Sequence, residues 1–260
     1  MNKQNLFENV RLVLYGNTWM QIKTVVILIL STIFIVLFPI VAINFFYPVN
    51  LSIMQLVLPF SVALVYLIGA YWIFFARGGE PAGQTLAALM ASLVMVALSV
   101  AVFSGEEGRW EFVLRTAGAL GALLSSLEMI NLAFDFPRPD PFINKHFITR
   151  LTLAFVFILQ FILFAIFIPL WRPMFLTIQY VILASGILFC LVWLGIRNIW
   201  QLTFIEKEQS LLVIMALLIS FTPAILLLGG FLFGFHYLFS PYNLLFAFAF
   251  PLIIVSMLYR

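Results

Sequence analysis

Charged residues along this chain are confined to short clusters, and apolar runs of about one membrane thickness lie between them. No charge occurs from Thr24 to Ala76, a stretch long enough for two crossings of ~20 residues each. Asn44 to Asn50, with Pro48 among them, mark the turn between the two. The pattern therefore predicts helices over 24–46 and 52–75, a hairpin with no soluble domain inserted. Arg77-Gly78-Gly79-Glu80-Pro81 forms the next turn, and its proline suits the first position of a helix over 82–103. Further spans are expected at 112–134, 148–168, 174–196, 210–233 and 242–259, with Pro223 as a kink in the seventh. Arg197 to Gln209, which contains Glu206-Lys207-Glu208, reads as a short interfacial helix, and residues 1–23 as an amphipathic cytoplasmic lead-in. The expected fold class is all-α: a polytopic membrane helix bundle of about eight spans, occupying residues 24–260 as one domain.

The fourth span departs from plain hydrophobicity. It ends in Phe134-Asp135-Phe136-Pro137-Arg138-Pro139-Asp140-Pro141, where alternating prolines forbid further helix. At about 100° per residue, Gly118, Gly121, Ser125, Glu128, Asn131 and Asp135 share one side. Small residues there let a neighbouring helix approach closely, and polar ones can bond across the contact. Glu128 is the acidic residue set inside a predicted span, ~10 Å from the helix end at Asp135. A carboxylate at that depth has to be protonated, paired, or turned to a wet cavity. Arg115 lies ~20 Å away along the same axis, so the partner has to come from another helix end, with Arg150, Lys23 and Arg77 as candidates. An interhelical structural bond and a proton-, ligand- or signal-coupled role both fit this position.

A second constellation is expected on the outer rim, where Trp110, Arg115 and Arg172 join Arg109, Glu111, Trp171, His236 and Tyr237 on short loops. Such groups would close a pocket for a small-molecule or peptide ligand, and interfacial anchoring explains the aromatic ones equally well. The candidate ligand or switch residues are thus Glu128, Asn131, Ser125, Arg115, Trp110 and Arg172.

Composition narrows the function classes. The chain is 65% hydrophobic and 9% charged, against about a quarter charged in soluble domains, so its environment is the lipid bilayer. A net charge of +3 is too small to point to nucleic acid. Lys3, Arg11, Lys23, Arg77, Arg138, Lys145, Arg150, Arg197, Lys207 and Arg260 fall on one side of the expected topology. Arg109, Arg115 and Arg172 fall on the other, which places both termini in the cytoplasm and the chain in the plasma (cytoplasmic) membrane as a multi-pass protein. Cys190 stands alone in mid-span, so neither an intrachain disulfide nor a cysteine metal cluster is expected. No His-Glu-x-x-His, Gly-x-Ser-x-Gly or paired intramembrane Asp occurs. Glu106-Glu107 and the Phe142-x-x-x-His146 spacing fall on opposite membrane faces, so they cannot share a proton or metal as an intramembrane endopeptidase requires. No cofactor and no turnover by this chain are expected.

Several landmarks together resemble the membrane-embedded N-terminal sensor region of bacterial histidine kinases, in particular the multi-span type of competence and quorum sensing. They are Ala76-Arg77-Gly78-Gly79-Glu80-Pro81-Ala82-Gly83 entering the third span and Leu132-Ala133-Phe134-Asp135-Phe136-Pro137-Arg138-Pro139 leaving the fourth. Glu206-Lys207-Glu208-Gln209 ahead of Pro223, and Phe250-Pro251 ahead of Tyr259-Arg260, fit the same layout, so the likeness frames residues 67–260. The resemblance implies a non-catalytic sensory domain that passes a ligand or membrane signal through its last helix, working as a homodimer or in a larger membrane complex. Residues 1–260 contain no phospho-acceptor segment and no ATP-binding boxes, so either they are the sensor part of a longer protein or the resemblance is one of architecture alone. The competing class is a transporter-like or accessory subunit of a membrane complex, for which polar residues at mid-membrane would speak.

Overall fold

A membrane helix surrounded by other helices meets no lipid, and close approach on every side requires small residues along it. Pro81–Val100, rich in Ala, with Gly83, Ser92 and Ser99 among its Leu and Met, meets that requirement. In the computed structural model, which describes residues 20–39, 53–100, 109–138, 175–233 and 241–258, every residue from Gly83 to Met95 is buried.

The described elements are helical throughout. They are α1 (Met20–Pro39), α2 (Ile53–Arg77), α3 (Pro81–Val100), α4 (Arg109–Asp135), α5 (Phe175–Trp200) and α6 (Phe204–Phe233). A 3₁₀ helix (Pro241–Phe248) then runs into α7 (Ala249–Leu258). Helices α1 to α5 are each long and apolar enough to cross a membrane. Their outward residues, among them Ile29, Val36, Ile68, Leu188 and Val192, are apolar and suited to lipid tails.

Helix α3 is the axis of the bundle. Helices α2 and α4 pack along it, while α1 reaches it through hydroxyls: Thr24 Oγ1 donates to the Gln84 carbonyl at 3.4 Å and Ser31 Oγ to the Ala91 carbonyl at 2.6 Å. Outside this core α5 packs on α4, α6 on α5, and α7 with its 3₁₀ lead closes back on α2 and α6. The paired positions give the directions. Ser126 of α4 meets Ile182 of α5, and Ala133 meets Arg197, so α4 and α5 run the same way.

The turns follow their local chemistry. Glu80 accepts the Gln84 N–H at 3.0 Å and Pro81 opens α3, where a missing N–H costs nothing. Between α5 and α6, the Glu206 carboxylate accepts the Thr203 N–H at 2.8 Å and the Thr203 hydroxyl at 2.9 Å. That closes the start of α6 as a capping box does. The Thr203 backbone N–H, followed by the Thr203 hydroxyl and the Arg138 and Arg197 cations, holds the Glu206 carboxyl below the usual range against some burial.

Several expectations shift. The interfacial helix over 197–209 does not exist as a separate element: Arg197 belongs to the last turn of α5, and Glu206-Lys207-Glu208 to the first turns of α6. Met20 to Lys23, expected in the lead-in, are part of α1, because the long Lys23 stem lets an apolar helix carry its charge to a partner. The expected span over 242–259 is half 3₁₀ and half α. At 2.0 and 1.5 Å per residue the two parts reach ~31 Å, where an unbroken α-helix of the same residues would reach ~27 Å. The expected span at 148–168 and the lead-in before Met20 lie outside the described residues.

Two glycines in α5 test this packing. A Cβ on Gly186 would stand 2.7 Å from Ser126 Cα, whereas one on Gly195 would meet nothing within 4 Å. Gly186→Ala should therefore lower stability by about 1–3 kcal/mol through overpacking, and Gly195→Ala should be neutral or raise it by up to about 1 kcal/mol. Thermal unfolding of the two variants in one detergent checks the contrast.

Candidate functional site

The acidic position inside α4 is compensated by the first turn of α1. Lys23 Nζ lies 2.7 Å from Glu128 Oε1 and 3.0 Å from Oε2, so the ammonium bridges both oxygens. Asn131, one turn on, donates from Nδ2 to Oε2 at 3.4 Å. The two ends of the pair differ in exposure: the Glu128 side chain is 2% exposed and that of Lys23 27%. Of the three basic residues weighed as partners, Lys23 pairs with Glu128, Arg77 pairs with Glu80 instead, and Arg150 lies outside the described residues.

The side of α4 read from the sequence is the side that faces α3. Ser125 lies one turn from Glu128 and hydrogen-bonds Ser92 of α3 at 2.9 Å. Gly121 lies one turn further, where a Cβ would be 2.8 Å from Met95 Cβ. Ser125, Glu128 and Asn131 thus form one continuous strip together with Lys23. Trp110 and Arg115 belong to the opposite end of α4, ~20 Å or more from Glu128 along the axis, so they are not part of this site. Arg172 lies outside the described residues. Among the described residues, no three His, Cys, Asp or Glu side chains are grouped as metal ligands would be.

A fully buried cation stands at the same end of the bundle. Arg197 is 1% exposed. Its Nη1 donates to the carbonyls of Ala133 at 2.9 Å, Phe134 at 3.1 Å and Phe136 at 2.7 Å, and Nη2 donates to that of Arg138 at 2.7 Å. The cause is written in the sequence of α4. Carbonyls at a helix end have no intrahelical partner, and the residue that would have bonded Ala133 is Pro137, which has no N–H. A guanidinium carries several donors in a fixed fork and its charge complements the negative end of the helix dipole. Arg138 adds a surface clamp, donating to the Gln201 carbonyl at 2.9 Å and lying 3.4 Å from Glu206.

Sequence reasoning placed Arg197 at the start of an interfacial helix, outside the preceding span. The signal that would have found it is the run of prolines after Ala133, which removes donors as well as ending the helix.

Two consequences follow for the Lys23–Glu128 pair. Removing a partner from a buried pair costs about 3–5 kcal/mol when the remaining charge stays buried, but a lysine can swing its head to water. Lys23→Met strands Glu128 and should cost about 3 kcal/mol, whereas Glu128→Gln frees Lys23 to turn outward and should cost about 1 kcal/mol. Melting of the two variants at neutral pH reads the asymmetry, and equal losses would place the pair in water. In comparison with family models, curated proteins and solved structures the chain finds no match, so its function has to be read from this geometry.

Proposed function

We propose that this chain is a non-catalytic sensory and signal-transducing membrane domain, organised like the sensor region of multi-span histidine kinases, with its last helix as the output. The observation that carries this reading is the way that helix is held. Tyr66 of α2 donates its hydroxyl to the Ala247 carbonyl at 2.9 Å, at the point where 3₁₀ helix gives way to α7. The output element is thus joined to the buried core at a junction between two helix types. At the other flank the Lys23–Glu128 pair ties the first helix to α4. A change of partner at Glu128 alters how the outer helices sit on α3.

The same reading puts both termini on the cytoplasmic side, with eight spans. Supporting it, Lys23, Arg138 and Arg197 gather at one end of the bundle, as a positive cytoplasmic face requires. The parallel course of α4 and α5 favours one further crossing between them, the span expected at 148–168. Cysteines placed at Asn50, Gly108 and Pro241 should react with an impermeant thiol reagent in sealed cells, and one at Asp140 should not. Reaction at Asp140 reverses the orientation.

Output is tested by joining the dimerisation and ATP-binding region of a histidine kinase after Arg260. Glu128→Gln and Tyr66→Phe should each change autophosphorylation several-fold while leaving insertion intact. Unchanged phosphorylation in both variants overturns the sensor reading. A buried carboxylate also suits a transporter-like subunit; proton-coupled flux in proteoliposomes, lost in Glu128→Gln, would favour that class instead.

A further inference from the structure

The last crossing carries a proline inside its α half. In an unbroken α-helix the N–H of residue 251 would bond the carbonyl of residue 247, but Pro251 has no N–H and its ring crowds that carbonyl. The Ala247 carbonyl instead receives the Tyr66 hydroxyl at 2.9 Å. Upstream of this point lie eight residues of 3₁₀ helix, Pro241–Phe248, although runs beyond three or four are uncommon because their hydrogen bonds are poorer.

Both halves pack on α2 and α6. In the α half Phe250 and Ile254 are fully buried, and the Phe250 ring stacks on Tyr66 with centroids 6.2 Å apart. Gly69 of α2 admits Pro251 closely, its would-be Cβ standing 3.7 Å from Pro251 Cβ. In the 3₁₀ half Leu245 is 54% exposed and Phe246 48%. Phe250 and Ile254 therefore fix the buried side of α7, whereas the outward side of the 3₁₀ half, at Leu245 and Phe246, meets no protein among the described residues that would oppose rewinding.

We infer that the 3₁₀ half of the last crossing is a segment with two lengths, held long by the Tyr66 hydroxyl, through which a stimulus at the Pro241 end reaches α7. Carbonyls of a 3₁₀ helix splay outward, which turns Ala247 away from the Pro251 ring and onto Tyr66. Rewinding the eight residues as α-helix shortens the segment by about 4 Å and turns its far end by roughly 160° relative to α7. The signalling part of this inference rests on the sensor reading; the change of length does not.

The test uses the full chain with Cys190→Ala and spin labels at Tyr242→Cys and Ser256→Cys. The two positions stand about 24 Å apart along the axis in the long form and about 21 Å in the short one. Pulsed electron resonance should show the long distance in the parent. Pro251→Ala restores a donor to Ala247 and should shorten the distance by about 3 Å. Tyr66→Phe, which removes a single oxygen, should move the population towards the same short distance, and adding it to Pro251→Ala should change nothing more. A distance that stays long in either folded single variant overturns the two-length segment. Short distances with unchanged phosphorylation in the kinase fusion overturn the signalling part alone.

Discussion

A backbone carbonyl that loses its N–H partner inside a membrane cannot turn to water, so the protein has to supply another donor. Pro59 inside α2 and Pro223 inside α6 create that need as Pro137 and Pro251 do, and at the last two a long side chain from a neighbouring helix meets it. Pro137 orphans the Ala133 carbonyl and Arg197 of α5 fills the place. Pro251 orphans that of Ala247 and the Tyr66 hydroxyl fills it. In both cases the donor comes from a helix running parallel to the one it repairs. The path of the chain around α3 is therefore set as much by where donors are missing as by where apolar surface has to be covered.

Lipid tails are as apolar as leucine, so burying more leucine contributes little to holding these helices together. What α3 offers its neighbours is closeness. Ala87, Ala88, Ala91 and Ser92 leave room for α2 and α4, and Gly121 lets Met95 approach to the backbone of α4. Interhelical hydrogen bonds such as Ser92–Ser125 and Ser126–Ile182 add about 0.6 kcal/mol each on average. They contribute register more than strength. The Lys23–Glu128 pair differs in kind, since its worth depends on each member staying where the other can reach it.

The helices themselves were legible because charge is absent from long stretches and Pro or Gly stands between them. Their ends were less so. A lysine at position 23 reads as a stop, yet its stem lets the helix begin earlier and bring the charge to α4. The need of Glu128 for a partner could be read from its depth, as could the side of α4 on which Ser125 and Gly121 lie. Which of Lys23, Arg77 and Arg150 would answer could not, because only packing decides which helix end comes alongside. The 3₁₀ stretch left no periodic trace: an apolar run with one proline near its middle reads the same in either helix type. Arg197 was hidden because a charge after an apolar run reads as the end of the span.

The hold of Arg197 on the end of α4 has a mechanical consequence. To part α4 from α5 at that end, four carbonyls and one guanidinium would have to give up their partners together, three of those carbonyls in buried contacts. The two helices therefore behave at this end as a single stiff beam, and a tilt imposed on one is handed to the other without slack. The Arg138–Glu206 contact adds a weaker, half-exposed tie to the start of α6.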